Sequence, residues 1–74
     1  MKETRRLYLA VGNTVIHKQR PEWGVGRVIE EMNSTLPGGL SMIRIEFEDG
    51  VLRAFNNDVD SEHFCYHAGI RKHS

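Results

Sequence analysis

The chain of 74 residues has only one cysteine, two prolines and no long apolar run. It therefore has little that could form disulfide bonds, interrupt secondary structure or span a membrane. Cys65 has no partner for an intramolecular disulfide, which indicates a reducing compartment. A membrane-spanning helix needs about 20 apolar residues, and the start MKETRRLYLAVGN lacks the apolar run of a signal peptide. We therefore expect a cytoplasmic protein with no membrane partner.

Net charge is also absent, because ten Lys and Arg balance ten Asp and Glu. Proteins that bind nucleic acid nonspecifically are usually basic, so the composition does not indicate that function. The basic residues are concentrated in residues 1–29 and the acidic ones in residues 30–62. Such a chain could present faces of opposite charge that select a partner, or the charges could simply keep strand edges soluble.

The small size argues against an enzyme. A chain of 74 residues forms one domain and buries only about 60% of the surface that it exposes when unfolded. Such a domain has little room for a substrate pocket of several hundred Å³. We therefore expect a protein without catalytic activity and without a cofactor.

Several segments have the composition of strands. TVIHK (14–18) and VGRVIEEM (25–32) are rich in β-branched residues, and turn formers fill residues 33–39. The clearest signal is MIRIEFEDGVLRAFN, two alternating runs joined by Asp49 and Gly50. An Asp-Gly pair is typical of a two-residue type I′ hairpin turn, because both central residues need positive φ.

This turn predicts the register of the hairpin. Glu46 would lie opposite Arg53, and Ile45 opposite Ala54, so that one face of the hairpin is wholly apolar. The predicted core includes that face and consists of Val15, Val28, Ile43, Ile45, Phe47, Leu52 and Ala54.

The number of strands limits the fold. Four or five short strands in about 60 ordered residues are too few for a sandwich, but they can close into a barrel and so remove exposed edges. The sequence predicts an all-β fold, a small SH3-like or Tudor-like barrel of four to five antiparallel strands. We expect a flexible lead-in at residues 1–10, the barrel at 11–67 and a polar tail at 68–74. Residues 63–67 (HFCYH) would be the last strand, or a short helix capped by Asp60 or Ser61 that stops at Gly69.

The stretch RPEWGVGRV (20–28) predicts a sharp corner of the barrel. Pro21 fixes φ and cannot donate to a β-ladder, so it belongs in the connection. Gly24 and Gly26 allow positive φ or a close approach of backbones. Trp23 would either cover the barrel mouth or protrude as an anchor for a partner, and both roles are compatible if one edge of the indole stays exposed.

The corner belongs to a longer pattern. A Val-Gly-x-x-Val start is followed by a histidine, a proline, an aromatic-Gly-x-Gly-x-Val corner and a strand that ends in an acidic or glycine turn. The matching positions are Val11, Gly12, Val15, His17, Pro21, Trp23, Gly24, Gly26, Val28, Ile43, Ile45 and Phe47. The pattern resembles the Tudor-like (SH3-like) C-terminal domain of UvrD/PcrA-type repair helicases and a related bacterial family of small uncharacterised domains. It resembles more remotely the RNA-polymerase-interacting domain of CarD-type transcription regulators.

The resemblance covers roughly residues 10–56, and the chain departs from the pattern after Phe55. It implies a protein-binding module, typically one that docks on RNA polymerase in transcription-coupled repair or initiation, and it implies no catalysis.

One cluster has the residue types of a metal site. His63, Cys65 and His67 are spaced by two, so on a strand they would share one face, and on a helix His63 and His67 would still do so. They could bind zinc with His17 or a carboxylate as the fourth ligand, although structural zinc sites usually space their ligands in pairs. The alternative is that Cys65 is a small core residue flanked by two histidines at the rim.

We therefore expect a non-enzymatic protein-binding module. The predicted contact face consists of Trp23 as the anchor, with Arg27, Arg44, Arg53 and Phe55 around it. The alternative is a small barrel that binds single-stranded nucleic acid through the cations Lys18, Arg20, Arg27, Arg44 and Arg53, with Trp23 or Phe55 for stacking. Glu46, in the middle of that face, opposes the alternative. The sequence leaves the oligomeric state open.

Overall fold

The structure is a computed structural model, and it describes residues 6–36 and 39–73. Five strands, a 3₁₀ turn and a single-turn helix follow one another along these residues. In chain order they are β1 (Thr14–His17), the 3₁₀ turn (Pro21–Trp23), β2 (Gly26–Asn33), β3 (Ser41–Phe47), β4 (Leu52–Asn56), α1 (Cys65–Ala68) and β5 (Ile70–Lys72).

The strands form one antiparallel sheet in the order β4-β3-β2-β1-β5. Strand β1 pairs with β2 through Thr14 and Val15 and with β5 through Val15 to His17, so the last strand returns to the first. The sheet curls into a half-barrel with almost no helix. This confirms the predicted all-β class and is consistent with a small SH3-like barrel.

The core lies on the concave side of the curled sheet. Alternate residues of β1, β2 and β3 point to that side, as the period of a strand requires. The buried apolar residues are Leu9, Val15, Val28, Ile43, Ile45, Phe47, Phe64, Cys65 and Ile70. The five core residues predicted from β1, β2 and β3 are all among them.

The β3–β4 turn is one residue longer than predicted. The Gly50 N–H donates to the Phe47 carbonyl at 2.9 Å, and the Phe47 N–H donates to the Val51 carbonyl at 3.3 Å. Glu48, Asp49 and Gly50 therefore form a three-residue loop, with Gly50 at φ 82°. A three-residue loop of this kind closes with a glycine in the left-handed region, so an Asp-Gly pair suits it as well as it suits a type I′ turn.

The extra residue shifts the register by one. Each side chain of β4 therefore points to the opposite face of the sheet from the one predicted. Ile45 pairs with Arg53 instead of Ala54, and Glu46 pairs with Leu52 instead of Arg53. Leu52 is 49% exposed and Ala54 is also exposed, so placing these two residues in the core was wrong. Arg53 and Phe55 take the concave side in their place.

The C-terminal part differs from the prediction in a second way. Residues 63–67 are not a strand, because Cys65–Ala68 form α1 and Ile70–Lys72 form β5. The helix ends at Gly69, as the alternative prediction had it, and Gly69 has φ 122°. Its N-cap is Phe64, however, and neither Asp60 nor Ser61. The segment expected to be a polar tail at 68–74 thus contains the strand that pairs with β1.

The N-terminal segment lies against the end of β4. Asn57 is fully buried; its side-chain amide accepts from the Leu9 N–H and donates to the Leu9 carbonyl, both at 2.8 Å. Its backbone N–H donates to Ser41, and its carbonyl accepts from Tyr8. Residues 6–10 fall in the expected flexible lead-in, yet Leu9 belongs to the core; residues 1–5 lie outside the described part.

We predict that Asn57→Ala lowers the free energy of unfolding by about 2–4 kcal/mol, because it leaves the buried Leu9 N–H and carbonyl without partners. Urea unfolding followed by circular dichroism measures the change. Asn13→Ala is the matched control, since the Asn13 amide also accepts a backbone N–H, from Ala10 at 3.0 Å, but at an exposed site. Equal losses for the two variants would contradict the role of Asn57.

Candidate functional site

The corner between β1 and β2 is built as its residue types require. Pro21 occupies the first position of the 3₁₀ turn, where no N–H is needed. The Trp23 N–H donates to the Arg20 carbonyl at 3.0 Å, and the Gly24 N–H donates to the Pro21 carbonyl at 3.1 Å. These two bonds reverse the chain within four residues, beside the β3–β4 turn.

Both glycines of the corner leave room for a neighbouring side chain to lie against the backbone. Gly24 has φ 75°, and a Cβ on it would lie 2.8 Å from the Cβ of Glu48. The Glu48 side chain lies over this glycine, and its Oε1 accepts the Val25 N–H at 2.8 Å. Gly26 begins β2 on the concave side, where a Cβ would lie 2.6 Å from Ile45 and 2.8 Å from Phe47. The corner is thereby fixed to the β3–β4 turn.

Gly24→Ala should destabilise the protein by at least about 1 kcal/mol more than Gly12→Ala. Each change places a side chain in the left-handed region, at a cost of about 1–3 kcal/mol. Gly12 has φ 97° with open space around it, whereas Gly24 meets Glu48. Urea midpoints of the two variants give the difference, and indistinguishable midpoints would contradict the close approach at the corner.

Trp23 is half-buried in an aromatic cluster that one arginine covers. Its ring lies 4.9 Å from the His17 ring and 5.2 Å from the Phe47 ring. The Arg53 guanidinium carbon lies 3.7 Å from the centre of the indole. Asp49 holds the guanidinium with two hydrogen bonds of 3.2 and 2.8 Å, which also lower the pKa of the Asp49 carboxyl. The indole is therefore partly covered by the chain's own cation.

His17 lies beneath this cluster as a neutral ring. It is a buried residue of β1, and its Nδ1 accepts the Gln19 N–H at 3.2 Å. Burial lowers its pKa, and the positive charge of Arg20 lowers it further. A neutral imidazole packs against Trp23 and Phe55 without the cost of burying a charge.

An apolar groove of about 380 Å³ opens beside the cluster. This volume reaches the several hundred Å³ for which the small size of the chain predicted little room, so that expectation was wrong. The walls of the groove come from the end of β1, the 3₁₀ turn and the β3–β4 turn. The lining residues are Ile16, His17, Lys18, Pro21, Gly24, Val25 and Glu48. Ile16 remains 36% exposed at the edge of the groove. Within the described residues Lys18 forms no ion pair, so an unpaired cation borders an apolar surface.

The residues predicted to surround Trp23 lie on both sides of the sheet. Arg53 and Phe55 share the concave side with the cluster, because they pair with Ile45 and Ile43. Arg27 and Arg44 alternate to the convex side. Arg27 lies opposite Glu46 in the register of β2 and β3, and Arg44 forms an ion pair of 2.9 Å with a glutamate. The structure thus joins Trp23 with Arg53 and Phe55 and separates it from the other two arginines.

The same geometry leaves few free groups on the predicted nucleic-acid face. Three of its five cations have a carboxylate partner: Arg20 with Glu22, Arg44 with Glu30, and Arg53 with Asp49. Trp23 carries the Arg53 guanidinium on its ring. The stacking surface and the free cations expected there are therefore largely taken by contacts within the chain.

The three metal-ligand candidates are not brought together. Cys65 is buried in the core, whereas His63 lies exposed beside Glu62 at 3.6 Å and His67 lies exposed on α1. In the described ranges, no group of three or more His, Cys, Asp or Glu is placed to hold a metal ion. Burial raises the pKa of the Cys65 thiol to about 11, which agrees with the alternative reading of Cys65 as a small core residue.

We predict that Cys65 is inert to a thiol reagent in the native protein at mildly alkaline pH and reacts once urea unfolds the chain. Because the folded pKa is raised, Cys65 favours folding fully below about pH 9, and this contribution is lost as the pH rises towards about 11. Stopped-flow thiol labelling measures the reaction. Rapid labelling of the folded protein would contradict the burial, and Cys65→Ala gives the background.

Sequence reasoning missed the groove and Asn57. The groove joins residues 16–18, 21–25 and 48, which are far apart in the sequence, and only the curled sheet brings them together. Glu48, an acidic residue directly before the Asp-Gly pair, was a possible signal for a side chain that contacts another loop. The alternating pattern predicts it instead as a strand residue. Asn57 stood in a polar turn-like run, NNDVD, with nothing to mark it as buried.

Comparisons with protein-family models, with curated proteins and with solved structures find no match to this chain. No helix of the described residues is long and apolar enough to cross a bilayer.

Proposed function

We propose that the chain is a non-enzymatic protein-binding module and that the groove beside Trp23 receives a side chain of its partner. The observation that carries this proposal is an apolar groove of about 380 Å³ with a fixed wall. The close contact between Gly24 and Glu48 holds the corner in place. The residues of the groove therefore lose little conformational freedom when a partner binds.

The residues of the groove suggest the chemistry of the partner. Ile16, Pro21 and Val25 offer apolar contact for one large aliphatic or aromatic side chain. Lys18 borders this surface with an unpaired ammonium group, which would attract a carboxylate next to that side chain. The partner is thus an exposed segment with an apolar residue flanked by acidic ones. Trp23 and Arg53 would form the adjoining contact, since the indole is half-buried and its cation is held in place.

The resemblance of the corner to helicase Tudor-like domains and CarD-type regulators supplies the partner to test. We propose RNA polymerase, or a transcription or repair complex that contains it, as the protein that this cytoplasmic module binds. Two observations support this partner: the sequence pattern of residues 10–56 and a fold of the matching class.

The test is binding of labelled protein to purified bacterial RNA polymerase core enzyme, measured by fluorescence anisotropy. Ile16→Lys should weaken binding at least about tenfold, because it places a charge in the apolar groove. Ile29→Lys is the matched control: Ile29 is 42% exposed in β2 and does not line the groove. That variant should bind within about twofold of the wild type.

Each part of the proposal has its own contrary result. If the wild type does not bind the polymerase, the partner is wrong. If the wild type binds and Ile16→Lys binds equally well, the groove is not the contact. Circular dichroism of both variants separates these outcomes from unfolding.

A further inference from the structure

Arg71 on β5 differs from the ion-paired arginines of the chain. Arg6, Arg20, Arg44 and Arg53 each pair with a carboxylate, whereas Arg71 forms no ion pair within the residues described. Its Nη1 instead donates to the backbone oxygen of Tyr66 at 2.7 Å and to its neighbouring carbonyl at 3.1 Å. The guanidinium is therefore fixed in position while its charge stays uncompensated.

This guanidinium is stacked on an aromatic pair. Its carbon lies 3.4 Å from the centre of the Tyr66 ring, and Tyr66 is 42% exposed. The Tyr66 ring lies nearly parallel to that of Phe64, with centres 6.0 Å apart and planes at 15°. The edge of Tyr8 packs against Tyr66 at 5.8 Å. Arg71 thus forms the top layer of a stack that rests on the core.

The C-terminal segment that carries Tyr66 and Arg71 is basic. Residues 63–73 contain Arg71, Lys72 and three histidines but no acidic residue. Lys72 is exposed, and its Nζ lies 5.2 Å from the centre of the Tyr8 ring. Lys18 follows the end of β1, and its backbone N–H donates to the carbonyl of Gly69, directly before β5, at 2.8 Å. We call Tyr8, Tyr66, Arg71 and Lys72 the β5 face.

We propose that the β5 face binds single-stranded nucleic acid. A base stacks on the Arg71 guanidinium, which Tyr66 supports from below, and the adjoining phosphates contact Lys72 and Lys18. Arginine planes and aromatic rings are the groups on which unpaired bases stack, and lysines beside them track the backbone. This function goes beyond the proposed protein-binding groove and does not depend on it.

The geometry favours nucleic acid over an acidic peptide. Nη1 of Arg71 donates to two carbonyls of the chain, which leaves the edge formed by Nε and Nη2 for either a carboxylate or a phosphate. The stacked rings, and not this edge, therefore favour nucleic acid. In the proposed complex, a flat base stacks on the side of the guanidinium that faces away from Tyr66. The nearby Tyr8 and Tyr66 rings add the aromatic surface that nucleic-acid platforms use.

The experiment is anisotropy of a short labelled oligothymidylate and of its oligouridylate counterpart, titrated with the full chain between about 50 and 200 mM salt. Arg71→Gln should weaken binding about tenfold, and Arg71→Lys should weaken it nearly as much, because the charge is kept but the stacking plane is lost. Arg27→Gln is the control, since Arg27 is exposed and has no ion pair among the described residues; it should bind within about twofold of the wild type.

Three results would overturn the proposal. The first is no binding of the wild type at the lowest salt. The second is wild-type affinity in Arg71→Gln, or equal losses in Arg71→Gln and Arg27→Gln. The third is wild-type affinity in Arg71→Lys, or equally tight binding of inorganic polyphosphate, which would mark the face as a site for any polyanion, acidic peptides included.

The groove variant keeps the two functions apart. Ile16→Lys blocks the groove but adds a cation beside Arg71, so it should keep or strengthen oligonucleotide binding while it loses the polymerase. Unchanged Trp23 fluorescence in the Arg71 variants shows that the corner is intact.

Discussion

The side chain of Asn57 makes the connection on which the curled sheet depends. The end strands β4 and β5 do not pair with each other in the described structure, so the sheet has two edges to protect. Asn57 follows β4 directly and uses its amide as a peptide group would, with one bond to the Leu9 N–H and one to the Leu9 carbonyl. These bonds hold the N-terminal segment beside the end of β4. On the same segment, the Tyr8 hydroxyl accepts a hydrogen bond from the backbone N–H of Lys72 in β5.

The second constraint is the length of the turn at residues 48–50. With three residues in this loop, β4 directs Arg53 and Phe55 to the concave side. Arg53 then reaches both Asp49 and Trp23. With two residues, Leu52 and Ala54 would occupy those positions, and the indole would lose its cation. The chemistry of the corner therefore depends on a single residue in a turn some 25 positions away.

The sequence was sufficient for the fold class and for the part of the core with a clear period of two. Val15, Val28 and Ile43 lie in such runs, and their burial follows from alternation alone. Leu52 and Ala54 were misplaced because an Asp-Gly pair fits two turn lengths with similar local chemistry, and only the packing of Arg53 against Trp23 distinguishes them. Local patterns could not decide this, because the deciding contact is between distant residues.

The candidate sites were harder to predict for the same reason. The corner residues Pro21, Gly24 and Gly26 have the roles that their types suggest, since those roles are local. The groove and the β5 face combine segments that only the curled sheet brings together. The sequence predicts Arg71 in a polar tail and Tyr66 in a strand or a short helix, whereas the structure places them in one stack.

The contact between Glu48 and Gly24 gives the β3–β4 and β2–β3 connections different tolerance to change in length. Residues inserted at 48–50 would pull the carboxylate away from the Val25 N–H and remove one wall of the groove. None of the described residues of the β2–β3 connection lines that groove. A fusion tag or a foreign epitope placed near Leu36, which is 70% exposed, would therefore leave the binding surface in its native shape.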